Sequence, residues 1–170
     1  MPESRKSAEQ LARFIDKYTP EIASLARTIL AKMQKRYPTA IELVYDNYNA
    51  LAIGFGPTER PSEAIFSIAL YPKWVSLFFL HARGLPDPGK ILQGSGSVAK
   101  HIILPTPDAL DDPAVRTLMQ EAEARAAVPL DPSGVHRIII KSVSAKQRPR
   151  RPVQKARSAP RDPVRKARKN

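Results

Sequence analysis

The stretch Ile65–Leu80, IFSIALYPKWVSLFFL, predicts two β-strands joined by a tight turn. Large apolar side chains recur at every second position in both halves, which is the period of a strand with one buried face. They are Phe66, Ile68 and Leu70 in the first half and Val75, Leu77 and Phe79 in the second. Pro72 stands at the second position of the turn Tyr71–Trp74, where its fixed φ is favoured. Because so short a connection joins antiparallel neighbours, this hairpin is the centre of the predicted sheet.

The same alternation extends the sheet before and after the hairpin. Leu51, Ile53 and Phe55 alternate with small residues, and a polar loop over residues 56–62 connects this strand to the hairpin. A Gly- and Pro-rich loop over residues 81–97 then leads to a predicted strand at His101–Leu104. Arg137–Val143 predicts a fifth strand.

Helical patterns flank these strands. Thr19 and Pro20 form a helix start, with threonine as N-cap and proline at the first helical position. An amphipathic stripe with helical spacing follows: Ile22, Leu25, Ala26, Ile29, Leu30 and Met33. Leu11, Phe14 and Ile15 make one earlier helical turn, and Asp112 with Pro113 begins a later helix. Thr39 and Glu42 form a capping-box pattern, which predicts a short helix around Ile41–Tyr45.

These patterns predict an α+β fold with a disordered basic C-terminal tail. We expect an antiparallel sheet of four to five strands with helices packed on one face, formed by residues 1–143. Residues 144–170 are rich in Pro, Lys, Arg and Ala and carry few large apolar side chains. Such a segment buries too little surface to offset the entropy of ordering it, so we expect it to be disordered.

Charge is distributed very unevenly along the chain. The 170 residues carry a net charge of +12. Residues 1–140 hold 16 Lys and Arg against 15 Asp and Glu, whereas residues 141–170 hold 12 Lys and Arg and one acid, Asp162. The basic character therefore belongs to the C-terminal segment, and the folded part is nearly neutral.

Composition excludes several functional classes. The chain contains no cysteine, which excludes a disulfide framework, a thiolate zinc site and a cysteine nucleophile. Met1–Gln10 is charged and has no apolar run, so it does not resemble a secretory signal. The longest apolar stretch, Trp74–Leu80, is far shorter than the roughly 20 residues of a membrane span. We therefore expect a cytoplasmic protein without a membrane span.

The central sequence resembles the YdhG-like family, catalogued as the domain of unknown function number 1801. The resemblance covers roughly residues 8–143. It is carried by YDNYNALAIGFGP at Tyr45–Pro57, by Ile65–Leu80, by LPDP at Leu85–Pro88, and by GSG at Gly94–Gly96 followed by HIIL at His101–Leu104. It implies a small α+β domain with helices on one face of an antiparallel sheet.

Some members of that family carry a frataxin-like label as iron chaperones or donors, a role that resembles iron binding by an acidic helical surface. The predicted first helices of this chain are instead mostly basic. They carry Arg13, Lys17, Arg27, Lys32, Lys35 and Arg36 against Glu9, Asp16 and Glu21. A metal carrier therefore remains an alternative, and a surface of this charge disfavours it.

Candidate catalytic and metal-binding residues have simpler structural interpretations. His81, His101 and His136 lack the i, i+4 spacing of paired ligands on a helix. A triad of Ser95 or Ser97 with His101 and Asp87 lacks a nucleophile elbow. Gly94–Gly96, near Lys90 and Lys100, could form a phosphate-binding nest, but it precedes a strand rather than a helix. Asp108, Asp111 and Asp112 fit a helix cap better than a cation site. We expect neither an enzyme, a resident metal nor a cofactor.

A mixture of aromatic and polar residues marks a candidate ligand groove. If Val75, Leu77 and Phe79 face the helices, then Trp74, Ser76 and Phe78 lie on the opposite face of the sheet. The candidate groove residues are Tyr45, Asn47, Tyr48, Tyr71, Trp74, Ser76, Lys100 and His101. They could floor a groove for a small ligand or a protein. Alternatively, they form a second apolar layer that is covered by the fifth strand, the loop or a partner subunit.

The basic segment predicts non-specific nucleic-acid binding. Its cations can neutralise phosphates and release counterions, and its prolines keep the chain extended. The predicted contacts are Arg148, Arg150, Arg151, Lys155, Arg157, Arg161, Arg165, Lys166, Arg168 and Lys169. No aromatic residue is interleaved with them, so we expect neither base stacking nor sequence specificity. The alternatives are a solubilising tail or weak contact with anionic membranes.

Overall fold

The computed structural model describes residues 2–152, which form three α-helices and a six-stranded sheet. The helices are α1 (Pro2–Asp16), α2 (Pro20–Arg36) and α3 (Pro113–Ala124). The strands are β1 (Ile41–Asp46), β2 (Leu51–Gly56), β3 (Phe66–Leu70), β4 (Val75–Phe79), β5 (Lys100–Ile103) and β6 (Arg137–Val143). Short 3-10 helices lie at Pro61–Glu63 and Pro107–Asp111. None of the helices in this part of the chain combines the length and apolar character that crossing a bilayer requires.

The sheet is mixed, with the strand order β5-β4-β3-β2-β1-β6. Strands β1 to β5 pair antiparallel in chain order, as the hairpin pattern predicts. The prediction of a purely antiparallel sheet of four to five strands is wrong at β6. That strand pairs parallel with β1, with Leu43 opposite Ile139, and forms the second edge of the sheet. The α+β class is confirmed, and β1 is the element that sequence reasoning missed.

Strand β1 replaces the helix predicted around Ile41–Tyr45. The Glu42 side chain does not close a capping box; it is fully buried and accepts a hydrogen bond from Gln34 of α2 at 3.1 Å. Pairing with β2 on one side and β6 on the other satisfies the β1 backbone, which a short isolated helix would satisfy only in part. Long-range pairing therefore outweighs the local capping signal.

The predicted helix starts are confirmed. The Thr19 hydroxyl accepts a hydrogen bond from the Ile22 N–H at 3.3 Å at the start of α2. The Asp112 carboxylate accepts one from the Ala114 N–H at 2.9 Å at the start of α3. Each cap satisfies a backbone donor that has no partner within its own helix.

One face of the sheet forms the core with the helices. The apolar stripes of α1, α2 and α3 join a single cluster with alternate residues of β2, β3 and β4, including Ile53, Ile68 and Leu77. Tyr18 ties the helices to the sheet, since its hydroxyl donates to the Leu70 carbonyl and accepts from the Leu51 N–H. The opposite face of β2, β3 and β4 carries mostly small side chains, and it is this face that forms the candidate site.

Candidate functional site

Small residues form the floor of a cleft on the sheet face away from the helices. Ala52 of β2 pairs with Ala69 of β3, and both lie in the floor beside Phe78 of β4. The cleft has a volume of about 480 Å³. Its walls come from the β1–β2 turn, the β3–β4 turn and the chain after β6: Asn47, Tyr48, Asn49, Ala50, Tyr71 and Ser144. Alanines on two neighbouring strands leave room that larger side chains would fill.

A second cleft adjoins the first at the β3–β4 turn and shares Asn49 and Tyr71 with it. It has a volume of about 760 Å³. Its other lining residues are Pro72, Lys73, Trp74, Arg148, Pro149, Arg151 and Pro152. We call the two clefts together the strand-end groove. Neither cleft has an Asp or Glu among the described residues that line it.

An aromatic pair stands at the junction of the two clefts. The rings of Tyr71 and Trp74 stack with centroids 4.8 Å apart and planes 20° from parallel. The turn that brings them together is closed by the Tyr71 N–H, which donates to the Trp74 carbonyl at 2.9 Å. The Trp74 side chain is 40% exposed. Tyr71 is more buried, and this burial raises the pKa of its hydroxyl above the ordinary value. The pair therefore presents an exposed indole on a half-buried phenol.

Tyr48 forms a second aromatic element of the groove, and a cation accompanies it. The Arg148 guanidinium carbon lies 5.6 Å from the centroid of the Tyr48 ring, within cation–π range. The Arg148 backbone N–H also donates to the Tyr48 carbonyl at 2.8 Å. Tyr48 remains 49% exposed. The backbone hydrogen bond and the cation–π contact thus hold Arg148 beside the exposed ring of Tyr48.

Residues 144–152 form one wall of the groove, which corrects the prediction that disorder begins at residue 144. They lack regular secondary structure, yet they pack against the end of β1. The Ser144 N–H donates to the Asp46 carbonyl at 2.9 Å, and the Gln147 side-chain amide donates to the same oxygen at 3.1 Å. Residues 153–170 lie outside the described residues, so the predicted disorder there stays a prediction.

The anchor of this segment is a buried ion pair. Arg150 is 6% exposed, and its Nη2 lies 2.9 Å from Oδ1 of the fully buried Asp46. Lys17 Nζ lies 2.7 Å from the other carboxylate oxygen, Oδ2. Burial by itself would raise the pKa of Asp46, but hydrogen bonds from Lys17, Gln147 and Arg150 outweigh it and lower that pKa. The Arg150 guanidinium also lies 5.8 Å from the Tyr18 ring centroid.

The predicted phosphate contacts therefore divide into three groups. Arg150 was wrongly placed among them, because its charge is buried and paired with Asp46. Arg148 and Arg151 are exposed and line the groove beside Lys73. Seven others lie outside the described residues: Lys155, Arg157, Arg161, Arg165, Lys166, Arg168 and Lys169.

The structure brings together four of the eight predicted groove residues. Asn47, Tyr48 and Tyr71 line the first cleft, and Trp74 lines the second. The remaining four are Tyr45, Ser76, Lys100 and His101, and the structure places none of them in the lining of either cleft.

Strand geometry explains where those four side chains lie. Tyr45 and Ser76 pair with floor strands, but their hydroxyl oxygens are buried and have no hydrogen-bond partner within residues 2–152. His101 reaches the groove only indirectly, because its ring packs 5.0 Å from that of Phe78. Lys100 pairs with the core residue Phe79, so alternation along β5 places it on the helix side of the sheet.

The three histidines have separate surroundings. A ring nitrogen of His81 lies 3.0 Å from the Ser62 carbonyl oxygen, and His101 forms a bridge with Gln93. His136 pairs with the buried Glu42 carboxylate, which raises the pKa of His136. Across residues 2–152, the structure contains no group of three or more His, Asp or Glu side chains placed to hold a metal ion.

The other acidic and loop candidates have structural roles. The Asp87 carboxylate accepts hydrogen bonds from the Ile91 and Leu92 backbone N–H groups, a structural role within its loop. Gly94–Gly96 forms an exposed connection leading into β5. Asp111 joins Lys32, Arg36 and Arg116 in ion pairs, and Asp108 pairs with Lys32.

Sequence reasoning missed the cationic wall of the groove. The signal that could have revealed it is Asp46, an acid in line with the core-facing residues of β1, which requires a cationic partner when buried. The alanines at positions 52 and 69 were recognised only as small residues of the alternation, although their pairing across β2 and β3 creates the floor.

No protein-family profile, no curated protein sequence and no solved structure matches this chain. The resemblance to the YdhG-like family therefore stays a prediction, and function is argued from the groove itself.

Proposed function

We propose that this protein is a binding module, rather than an enzyme, that contacts nucleic acid non-specifically through its basic C-terminal segment. The cations of this segment neutralise backbone phosphates, and the resulting release of counterions drives association. Phosphate contacts carry no base information, so the module binds without regard to sequence. The cytoplasm, where RNA is abundant, is the compartment we propose for it.

One observation carries the proposal. The beginning of the basic segment is fixed on the folded domain, with exposed Arg148 and Arg151 facing a groove that also contains Lys73. The acid in contact with this segment, Asp46, is buried and already paired with Arg150 and Lys17. Among residues 2–152, no Asp or Glu forms an ion pair with Arg148 or Arg151, so both can pair with an external anion. Seven further Lys and Arg follow in residues 153–170.

Salt dependence measures how many phosphates are contacted. If about six phosphates are neutralised, the logarithm of the affinity for duplex DNA falls against the logarithm of salt concentration with a slope near −5. Fluorescence anisotropy of a labelled oligonucleotide, titrated with the full chain at several salt concentrations, gives this slope. A slope near zero would contradict the proposal.

A matched pair of variants separates the C-terminal segment from net charge. One full-length variant carries Lys166→Gln, Arg168→Gln and Lys169→Gln. The control carries Lys6→Gln, Arg13→Gln and Lys35→Gln, three exposed positions on α1 and α2. Both lose three charges, but only the first loses phosphate contacts, so its salt slope becomes shallower by up to about 3. Equal losses of affinity would show that net charge alone attracts the nucleic acid.

The first cleft supports a second candidate, a carrier of a small ligand. Its volume of about 480 Å³ lies within the range of small-molecule sites, and its floor is apolar with amide groups at the rim. Native mass spectrometry of the purified full chain tests it. A carrier is supported if the native chain shows an additional mass from a bound molecule and the Ala52→Leu variant does not. If the native chain shows only the mass of the protein itself, the carrier function is contradicted.

A further inference from the structure

Two exposed aromatic rings mark the strand-end groove. In residues 2–152, Tyr48 and Trp74 are the only aromatic side chains among the large hydrophobic residues that are exposed, and both line the groove. Trp74 rests on Tyr71, which fixes the plane of the indole ring. Arg148 stacks against the ring of Tyr48. Exposed aromatic faces held in place by such contacts suit stacking on a flat partner.

Three cationic side chains lie beside these rings in the second cleft. Lys73, Arg148 and Arg151 line the second cleft, which has no acidic residue among its described lining residues. A ligand that stacks on the rings therefore lies against positive charge. Nucleic-acid strands present this combination of flat π-faces joined by phosphates.

We infer that the strand-end groove binds single-stranded nucleic acid by stacking unpaired bases on Trp74 and Tyr48 while Lys73, Arg148 and Arg151 contact the flanking phosphates. The inference rests on the proposed function and adds the class of nucleic acid to it. In a duplex both faces of each internal base are covered by its stacked neighbours, so these faces are not accessible to the rings of Trp74 and Tyr48. The groove thus adds affinity for single strands that the basic segment alone does not provide.

The amide groups of the first cleft fit the same ligand. Asn47 and Asn49 lie on the wall, and the Asn47 side-chain oxygen accepts a hydrogen bond from the Ser142 hydroxyl at 3.3 Å. Amide groups can hydrogen-bond the edges of a base whose face is stacked. The small side chains of Ala52 and Ala69 in the floor leave room in the cleft for the edge of a base.

Trp74 is the sole tryptophan of the chain, so the intrinsic fluorescence of the protein reports directly on the groove. The experiment titrates the full-length protein with a 12-nucleotide oligo(dT), with a 12-base-pair duplex and with heparin. We expect oligo(dT) to quench the Trp74 emission. The duplex and heparin bind through the cations and leave most of the emission unquenched.

Variants of the full chain test each ring. Measured by the fluorescence anisotropy of a labelled oligo(dT), which does not depend on tryptophan, binding is expected to weaken about ten-fold in Trp74→Ala and in Tyr48→Ala, since stacking of one base contributes roughly 1–3 kcal/mol. Trp74→Phe keeps a stacking face and restores most of the affinity. Duplex binding should change less than two-fold in all three variants. Because both residues are exposed, an unchanged melting temperature shows that the variants remain folded.

The outcomes separate this inference from the function on which it depends. If oligo(dT) and duplex bind with equal affinity, without quenching and without sensitivity to Trp74→Ala, base stacking is refuted while phosphate binding stands. If none of the polyanions binds, both proposals fail. If thymidine monophosphate quenches Trp74 with the same affinity as oligo(dT), the groove is a nucleotide site and the single-strand assignment is wrong.

Discussion

Arg150 and Asp46 lie 104 positions apart in the chain and form a buried ion pair, with Nη2 2.9 Å from Oδ1. The pair fixes residues 144–152 against the end of β1, so that a segment of basic, proline-rich composition becomes part of the folded domain. Arg148 and Arg151, which flank Arg150, are thereby oriented toward the groove. One internal salt bridge thus positions the cations that are available to a ligand.

Replacement of Arg150 by methionine is expected to destabilise the protein by about 3 kcal/mol, because Asp46 then keeps only one of its two cationic partners in a buried setting. Urea denaturation of the full chain followed by circular dichroism measures the loss. Arg148→Met, at an exposed position, should change stability by less than about 0.5 kcal/mol. Equal stability of the two variants would show that the ion pair does not anchor the segment.

The hydroxyl of Tyr18 is expected to contribute to the free energy of unfolding through two buried hydrogen bonds. It donates to the Leu70 carbonyl at 2.9 Å and accepts from the Leu51 N–H at 3.1 Å, and burial raises its pKa to about 12. Tyr18→Phe leaves both backbone groups without this partner and should cost about 1–3 kcal/mol in unfolding free energy. Tyr48→Phe, at the groove rim, is the control and should be nearly neutral. A neutral Tyr18→Phe would mean that the backbone groups find other partners.

The helices and the central hairpin could be predicted because their signals are local. A proline after a threonine or aspartate cap determines where α2 and α3 begin, and period-two alternation determines β3 and β4. The bounds of β6 were also predicted from its run of isoleucines, but its parallel partner was not. Strand pairing depends on two segments that are distant in the chain. The alternation within one strand does not show which other strand is its partner.

The missed features share a physical cause. Glu42 and Asp46 are charged residues on the core side of a strand, and their burial depends on partners from α1, α2 and the C-terminal segment. Local sequence around Glu42 therefore resembles a helix cap, and local sequence around Arg150 resembles a disordered tail. The aromatic residues of the groove, Tyr48 and Trp74, were predicted because strand alternation places Trp74 on the face opposite Val75, and because Tyr48 lies just before the strand that begins at Leu51.

The pairing of His136 with Glu42 is expected to make stability depend on pH. The Glu42 carboxylate raises the pKa of His136 above its unfolded value of about 6.5. The protonated pair therefore stabilises the fold fully below about pH 6.5, and this contribution is lost as the pH rises through the higher folded-state pKa. The difference in melting temperature between the native chain and His136→Gln should be larger at about pH 6 than at about pH 9.

A double-mutant cycle isolates this contribution from other titrating groups. In a Glu42→Gln background, His136→Gln should have the same effect on stability at both pH values, because the carboxylate that favours the protonated imidazole is absent. The amide of Gln34, which also donates to Glu42, is unchanged throughout the cycle. A difference that persists in the Glu42→Gln background would assign the pH dependence to another partner of His136.

The end of β2 requires glycine for a steric reason, which a pair of glycine substitutions can test. A Cβ on Gly56 would lie 2.8 Å from Cα of Ala64, a backbone atom that cannot move aside without shifting the chain before β3. At Gly54, two residues earlier on the same strand, the nearest atoms to a Cβ are 3.7 Å away or more, which is ordinary contact. Gly56→Ala is therefore expected to destabilise by about 1–3 kcal/mol, and Gly54→Ala by less than about 0.5 kcal/mol. Both are measured by urea denaturation at fixed pH, and a Gly54→Ala loss equal to that of Gly56→Ala would show that strand flexibility, rather than contact with Ala64, determines the preference for glycine.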